Sequence, residues 1–342
     1  MKRLFFFSVI FISYFLANAQ HQETKVILIT LDGLRWQELF TGADPELIGN
    51  KEYVDDPERL KTAFWQESPE ARRATLFPFI WSFVKENGEI HGNRLKGSTV
   101  DLTNKMWFSY PGYNEILTGK ADDQNIHSND KIYNPNVTVL EKVNNKDAYK
   151  GKVAAFGSWD VFPYIINDVR SGIPVNAGFR KAEGTDLTAR EELLNTLEEE
   201  IPGPWGGVRL DAFTHYFALE YMKKHHPLLT YISYGETDDF AHDGEYDSYL
   251  KSAQLTDGFI KALWEYTQND PFYRDNTVFI ITTDHGRGTQ PLKDWRGHGS
   301  DVKGAGQTWL IRFGKGVKAT GEGENEQLYP TMIAPQVLGY FE

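Results

Sequence analysis

Four short segments of this sequence concentrate the side chains that hold metal ions. Asp32 stands in Leu31-Asp32-Gly33, and Asp238 and His242 lie four residues apart in Gly235-Glu236-Thr237-Asp238-Asp239-Phe240-Ala241-His242. Asp284 and His285 are adjacent in Thr283-Asp284-His285-Gly286, and His298 is held between glycines in Arg296-Gly297-His298-Gly299. Taken singly, each has a plain alternative: an acidic turn, a surface pair or a flexible loop. Together they give three aspartates and three histidines, a mixed O and N donor set that suits zinc, with manganese as the alternative. Residues four apart on a helical turn share a face, so Asp238 and His242 can clamp one ion. Two such ions about 3.5–4 Å apart can bind both the attacking and the leaving oxygen of an in-line phosphoryl displacement.

That chemistry needs a nucleophile, and Phe108-Ser109-Tyr110-Pro111-Gly112-Tyr113-Asn114-Glu115-Ile116-Leu117-Thr118-Gly119 offers one. The pattern places Ser109 where an extended segment turns into a short helix, and a helix N-terminus favours an anion. The alternative is that Ser109 is simply a helix N-cap. No Gly-x-Ser-x-Gly elbow exists, so a hydrolase triad is unsupported. Direct coordination to a metal would activate the hydroxyl instead.

The elements that must position these residues are legible as apolar runs. Lys25–Leu31, Lys152–Phe156, Leu228–Tyr234, Thr277–Thr283 and Gln307–Phe313 are short, rich in β-branched and aromatic residues, and end in or beside Gly or Asp. They lack the alternation of half-exposed strands and suit a parallel sheet covered on both faces. Helical spacing appears between them, over Phe79–Lys85, Asp186–Glu199, Asp211–His225, Asp247–Thr267 and Leu328–Leu338. Strands alternating with helices predict a doubly wound α/β sandwich, whose ligands sit outside the carboxyl ends of the strands. That rule alone selects Asp32 and Asp284. Trp36–Leu76 reads as irregular, a lid or an ordinary excursion, and Gly316–Gln327 as a surface loop. Asn136-Val137-Thr138 fits a glycosylation sequon.

Composition limits the setting. Lys2-Arg3, the apolar run Leu4–Leu16 and Ala17-Asn18-Ala19 have the order of a secretory signal peptide, so residues 1–19 are expected to be removed. Residues 20–342 are expected to form a single catalytic domain of an exported protein, periplasmic or secreted. No other stretch is long and apolar enough to predict a membrane anchor. There is no cysteine, so export brings no disulfide framework. The net charge is −12, which predicts no non-specific attraction to nucleic acid. Bound cations would supply local positive charge for an anionic small-molecule substrate.

The ordered set resembles the alkaline phosphatase superfamily, and within it most closely the nucleotide pyrophosphatase/phosphodiesterase branch. Leu31-Asp32-Gly33-Leu34-Arg35 is similar to that branch's opening Asp-Gly-Phe-Arg. Ser109-Tyr110-Pro111 through Leu117-Thr118-Gly119 resembles its nucleophile segment, which usually begins Thr-Phe-Pro. Asp238 and His242 match its Asp-x-x-x-His, Asp284-His285-Gly286 its Asp-His-Gly, and His298-Gly299 its last His-Gly. The similarity runs from about Lys25 to the end of the chain. It implies a three-layer α/β sandwich with a central, mostly parallel sheet. It implies two divalent metal ions, zinc or alternatively manganese. One ion would be held by Asp238, His242 and His298, the other by Asp32, Asp284, His285 and the Ser109 oxygen. Asn129 follows the nucleophile at the spacing of the branch's asparagine that binds a non-bridging phosphate oxygen. The implied activity is hydrolysis of a phosphodiester or phosphomonoester through a phosphoserine. Serine in place of threonine leaves the choice between those esters open. A sulfate-ester or phosphonate hydrolase on the same metal frame is the rival reading, and a catalytically inactive binding protein the third. Tyr113 stands where sulfatases require Arg, so conversion of Ser109 to formylglycine is not expected.

Overall fold

A computed structural model of the chain describes residues 23–342. The expected signal segment, residues 1–19, lies outside the described residues. Eleven strands follow in order: β1 (Lys25–Leu31), β2 (Gly88–His91), β3 (Ser98–Asp101), β4 (Val153–Gly157), β5 (Val175–Ala177), β6 (Leu229–Tyr234), β7 (Thr277–Thr282), β8 (Gln307–Thr308), β9 (Leu310–Gly314), β10 (Gly321–Glu322) and β11 (Glu326–Leu328). Eight of them form the central sheet in the order β10-β2-β9-β7-β1-β6-β4-β5. Its pairs are parallel except for those made by β9, which opposes both β7 and β2.

All seven residues of β1 are buried. Successive side chains of a strand point to opposite faces, and each face meets its own core. Ile27, Ile29 and Leu31 pack with residues of Asp211–His225 and Tyr246–Asn269. Val26 and Leu28 pack with residues of Ser109–Thr118, Val139–Asn144 and Ile333–Gly339. The result is the expected three-layer α/β sandwich. Among the described residues no helix is long and apolar enough to cross a membrane.

Several local expectations are corrected. Gln307–Phe313 is not one parallel strand. Gln307-Thr308 pairs antiparallel with β3 in a separate three-stranded sheet, and Leu310–Gly314 runs antiparallel in the central one. The chain crosses between them at Trp309, whose indole donates to the Leu34 carbonyl at 2.9 Å. Trp36–Leu76 contains three helices, Trp36–Thr41, Pro57–Phe64 and Pro69–Leu76. Asp56 and Ser68 cap the latter two, each followed by proline at the first helical position. Gly316–Gln327 carries β10 and the start of β11. The helix expected at Asp186 begins at Ala189, behind a Thr188–Glu191 capping box. Phe79–Lys85 opens with a π-helical turn, Ile80–Val84, and Asp257 accepts from the Phe79 and Ile80 amides at 2.8 and 3.0 Å. Leu328 ends a strand, and the last helix spans Ile333–Gly339. The Asn136 amide donates to Asp122 at 2.7 Å, so the sequon side chain already has a partner within the fold.

One buried imidazole gives the core a pH dependence. His215 is 1% exposed, stacks on Phe259 with centroids 4.3 Å apart, and lies 3.1 Å from the Tyr234 hydroxyl. Burial, and then Lys223, push its pKa down to about 4. The folded state therefore binds this proton less readily than the unfolded chain. Its contribution is complete above pH ~6.5 and is lost as pH falls toward 4, by about 3 kcal/mol. Chemical denaturation at pH 7 and pH 4.5 should show a smaller loss for His215→Phe than for the wild type. Equal losses would remove His215 from the account.

Candidate metal centre

All six expected ligands converge at the carboxyl ends of β1, β6 and β7. Asp32 follows β1 directly, and Asp284 lies two residues beyond β7. Asp238 and His242 lie on the helix Glu236–Asp243, entered one residue after β6. His298 comes from the loop after the 3-10 turn Leu292–Arg296. A parallel sheet presents consecutive strand ends on one edge, so residues distant in sequence become neighbours.

His285 is the hub. Its Nε2 lies 3.2 Å from Asp32 Oδ1, 3.6 Å from Asp284 Oδ2, 3.6 Å from Asp238 Oδ1 and 3.4 Å from Ser109 Oγ. Its Nδ1 lies 2.9 Å from the Gly286 carbonyl, which leaves Nε2 directed at the carboxylates. On the outer side, His242 Nε2 is 2.9 Å from His298 Nε2 and 3.3 Å from Asp238 Oδ2, and His298 Nε2 is 3.6 Å from Asp238 Oδ1. Two sets of donor atoms, Asp32/Asp284/His285 and Asp238/His285/His298, each lie within 4.8 Å of one another. His242 joins the second set through its contacts with His298 and Asp238.

The donor chemistry fits divalent cations. Asp32 Oδ1 and Asp284 Oδ2 are buried atoms without a hydrogen-bond partner. Buried polar groups are nearly always satisfied, and a bound ion is one way to satisfy them. The charges point the same way. Burial, and then the Asp32 charge, push the Asp284 carboxyl well above the usual carboxylate range. Burial, then Asp238 and Asp32, push Asp239 up to about 8. Burial opposes a charge on His285, but Asp284 and Asp32 outweigh it and hold the imidazole up at about 9. Burial and His285 push His298 down to about 2. Burial also opposes the Asp238 charge, but Arg287 and His242 hold that carboxyl well below its usual range. Carboxylates crowded this closely in a dry space favour cations between them.

Ser109 is the first residue of the helix Ser109–Thr118, and Phe108 holds the cap position without a side-chain cap bond. Ser109 is therefore not an N-cap. Its hydroxyl is 4% exposed as part of the residue and faces His285. Asn129 accepts from the Tyr110 amide at 3.0 Å, beside Ser109, and Pro111 has no N–H to offer. With its carbonyl oxygen occupied, the Asn129 side chain has its NH2 group left to donate.

Four supporting residues were not read from the sequence. The Tyr113 hydroxyl donates to Asp32 Oδ2 at 2.8 Å and accepts from Ser233 at 3.1 Å, which leaves Asp32 Oδ1 directed at His285. Arg287 is fully buried. It binds the Asp238 carboxylate, the Asp238 carbonyl at 3.0 Å, the Gly33 carbonyl at 3.1 Å and the Arg296 carbonyl at 2.6 Å. Thr237 donates to the Asp32 carbonyl. Gly112 allows the nucleophile helix to approach, since a Cβ there would lie 2.2 Å from the Asp284 carbonyl oxygen. Arg287 directly follows Asp284-His285-Gly286, and that adjacency is the one signal that could have marked it.

Gly112→Ala should force the helix away from Asp284. We expect a loss of about 1–3 kcal/mol of stability and a fall in bound metal, measured by thermal denaturation and elemental analysis. Gly258→Ala is the control. That glycine sits inside the helix Tyr246–Asn269 with open space beside it, and its substitution should be neutral or stabilising. Equal behaviour of the two variants would contradict the close-approach role of Gly112.

No family model matches the sequence, and no curated protein matches it. Solved structures do resemble it. Alkaline phosphatase PafA superposes with a TM-score of 0.56 at 11% identity, covering 93% of this chain and 96% of that one. Murine ectonucleotide pyrophosphatase/phosphodiesterase 5, solved as an inactive form in complex with AMP, gives 0.53 at 12% identity, covering 93% and 95%. A phosphonate monoester hydrolase from Silicibacter pomeroyi gives 0.52 at 14% identity, covering 93% and 73%. The order of strands and helices thus follows a known architecture: this chain has an alkaline phosphatase-like α/β fold.

Proposed function

We propose that this protein is an exported two-metal phosphoesterase, cleaving a phosphodiester or phosphomonoester with Ser109 as nucleophile. The observation that carries the reading is the position of His285 Nε2, within 3.2–3.6 Å of three carboxylates and the Ser109 hydroxyl. Asp32, Asp284 and His285 with Ser109 would hold one cation, and Asp238, His242 and His298 the other. Bound there, zinc would neutralise phosphate charge and lower the serine pKa. Ser109 Oγ attacks phosphorus, a Ser109–phosphate ester forms, and the bond to the leaving alcohol breaks as its oxygen takes up a proton. Water then attacks the phosphoserine, releasing inorganic phosphate or a phosphomonoester and restoring the Ser109 hydroxyl. Asn129 donates to a non-bridging oxygen and steadies charge developing in the transition state. Arg287 and Tyr113 fix Asp238 and Asp32, so the carboxylates do not reorganise during turnover.

Phosphonate-ester hydrolysis is the second reading, favoured by the likeness to a phosphonate monoester hydrolase. Sulfate-ester hydrolysis is weaker, because Tyr113 stands where the sulfatase motif requires Arg, and its hydroxyl is bonded to Asp32 instead.

A panel of nitrophenyl phosphate, a nitrophenyl phosphodiester, a phosphonate monoester and nitrophenyl sulfate separates these readings. We expect a phosphate ester to be turned over fastest. Ser109→Ala should lose about 10³-fold or more in kcat while retaining the bound metal. Turnover of sulfate alone, or full activity in Ser109→Ala, would reject the mechanism.

A further inference from the structure

The segment leading into the nucleophile helix is tied by a buried carboxylate that the mechanism above does not use. Glu115 is fully buried, on the same helix as Ser109. Its Oε1 accepts from the Thr103 amide at 2.8 Å, and its Oε2 accepts from both the Asn104 amide and the Asn104 side chain, each at 2.8 Å. Asn104, 1% exposed, passes the constraint on. Its Oδ1 accepts from the amides of Met106 and Trp107 at 3.1 and 3.0 Å. Trp107 is thereby held at φ 51, in the left-handed region that residues other than glycine seldom occupy. From the other side, its carbonyl accepts from the Gly299 amide at 2.8 Å, next to His298. Its indole also packs on Gly306, where a Cβ would lie 2.7 Å from Nε1.

We propose that Glu115 is a positioning residue for Ser109, acting through Asn104 and Trp107. The proposal rests on the phosphoesterase reading of the site. A carboxylate is a costly group to bury in a helix flank unless its oxygens are satisfied. What it supplies here is three acceptor contacts converging on the chain six to five residues before the nucleophile. Those contacts matter because Phe108 makes no side-chain cap bond. The direction in which the chain enters the helix is therefore fixed by the 103–107 buckle. The link from Trp107 to Gly299 makes the same buckle set the distance between the nucleophile and the His298 loop. A displacement of about 1 Å in a reacting group can cost about 10²-fold in rate.

Glu115→Gln tests this. It preserves side-chain size but places an amide NH2 against an N–H donor. In the metal-loaded protein we expect kcat to fall about tenfold or more, with KM and bound metal within about twofold of wild type. We also expect faster amide hydrogen exchange confined to residues 103–109, read by mass spectrometry. Asn104→Ala should give the same split, and the double variant should be little worse than the weaker single, because both break one path. If Glu115→Gln does not fold, Asn104→Ala carries the same readouts. A folded variant with wild-type kcat overturns the proposal, as does a loss of kcat that only follows metal release and a lowered Tm. A wild type inactive on all four esters rejects the phosphoesterase reading by itself. The exchange measurement then still decides whether Glu115 holds this segment.

Discussion

Three carboxylates share one largely dry space at the ends of the central strands, and most of the local architecture follows from managing that charge. Asp32 and Asp284 are 5% and 0% exposed, and Asp238 comes within 3.6 Å of the same imidazole. Anions this close repel strongly where water cannot screen them. Asp32 and Asp284 are each handled in two parts. One oxygen is tied to the protein: Asp32 Oδ2 to Tyr113, Asp284 Oδ1 to the Gly33 amide at 3.1 Å. The other, Asp32 Oδ1 or Asp284 Oδ2, has no hydrogen-bond partner and faces His285 Nε2 at 3.2 or 3.6 Å. Asp238 differs, because Arg287 already takes part of its charge. Outer contacts thus orient the carboxylates so that the remaining oxygens of Asp32 and Asp284 face one imidazole.

Bringing these groups together requires backbone approaches that side chains would block. Gly33 has φ 59, and a Cβ there would lie 2.8 Å from Asp238 Oδ1 and 2.9 Å from Arg287 Nε. Gly112 serves the nucleophile helix in the same way. The glycines of Asp-Gly and Pro-Gly are therefore part of the site, although neither offers a ligand. Arg287 binds carbonyl and carboxylate oxygens of three other segments, so the end of β1, the helix Glu236–Asp243 and the His298 loop are fixed relative to one another.

Much of this was legible in the sequence, for identifiable reasons. The strands β1, β4, β6 and β7 are buried on both faces and read as continuous apolar runs. Their carboxyl ends then located Asp32 and Asp284 by topology alone. Asp238 and His242 followed from helical spacing. Less was legible where pairing, not pattern, decides the structure. β5, β10 and β11 are two or three residues long, too short for any periodicity. Gln307–Phe313 is uniform in character, yet it divides at Trp309 between two sheets. The helices of residues 57–76 did carry signals, Asp56-Pro57 and Ser68-Pro69, which mixed charge obscured. Glu115, Tyr113 and Arg287 were not legible as supporting residues, because each acts through contacts with residues 9 to 254 positions away.

The central claim is that six side chains from β1, β6, β7 and the His298 loop enclose a pair of cations beside Ser109. Anomalous X-ray diffraction at the zinc edge, on crystals of the metal-loaded protein, addresses it most directly. The account predicts two peaks: one among Asp32, Asp284 and His285, the other among Asp238, His242 and His298. No peak at the ends of these strands, or zinc bound only at other surface carboxylates, would contradict it.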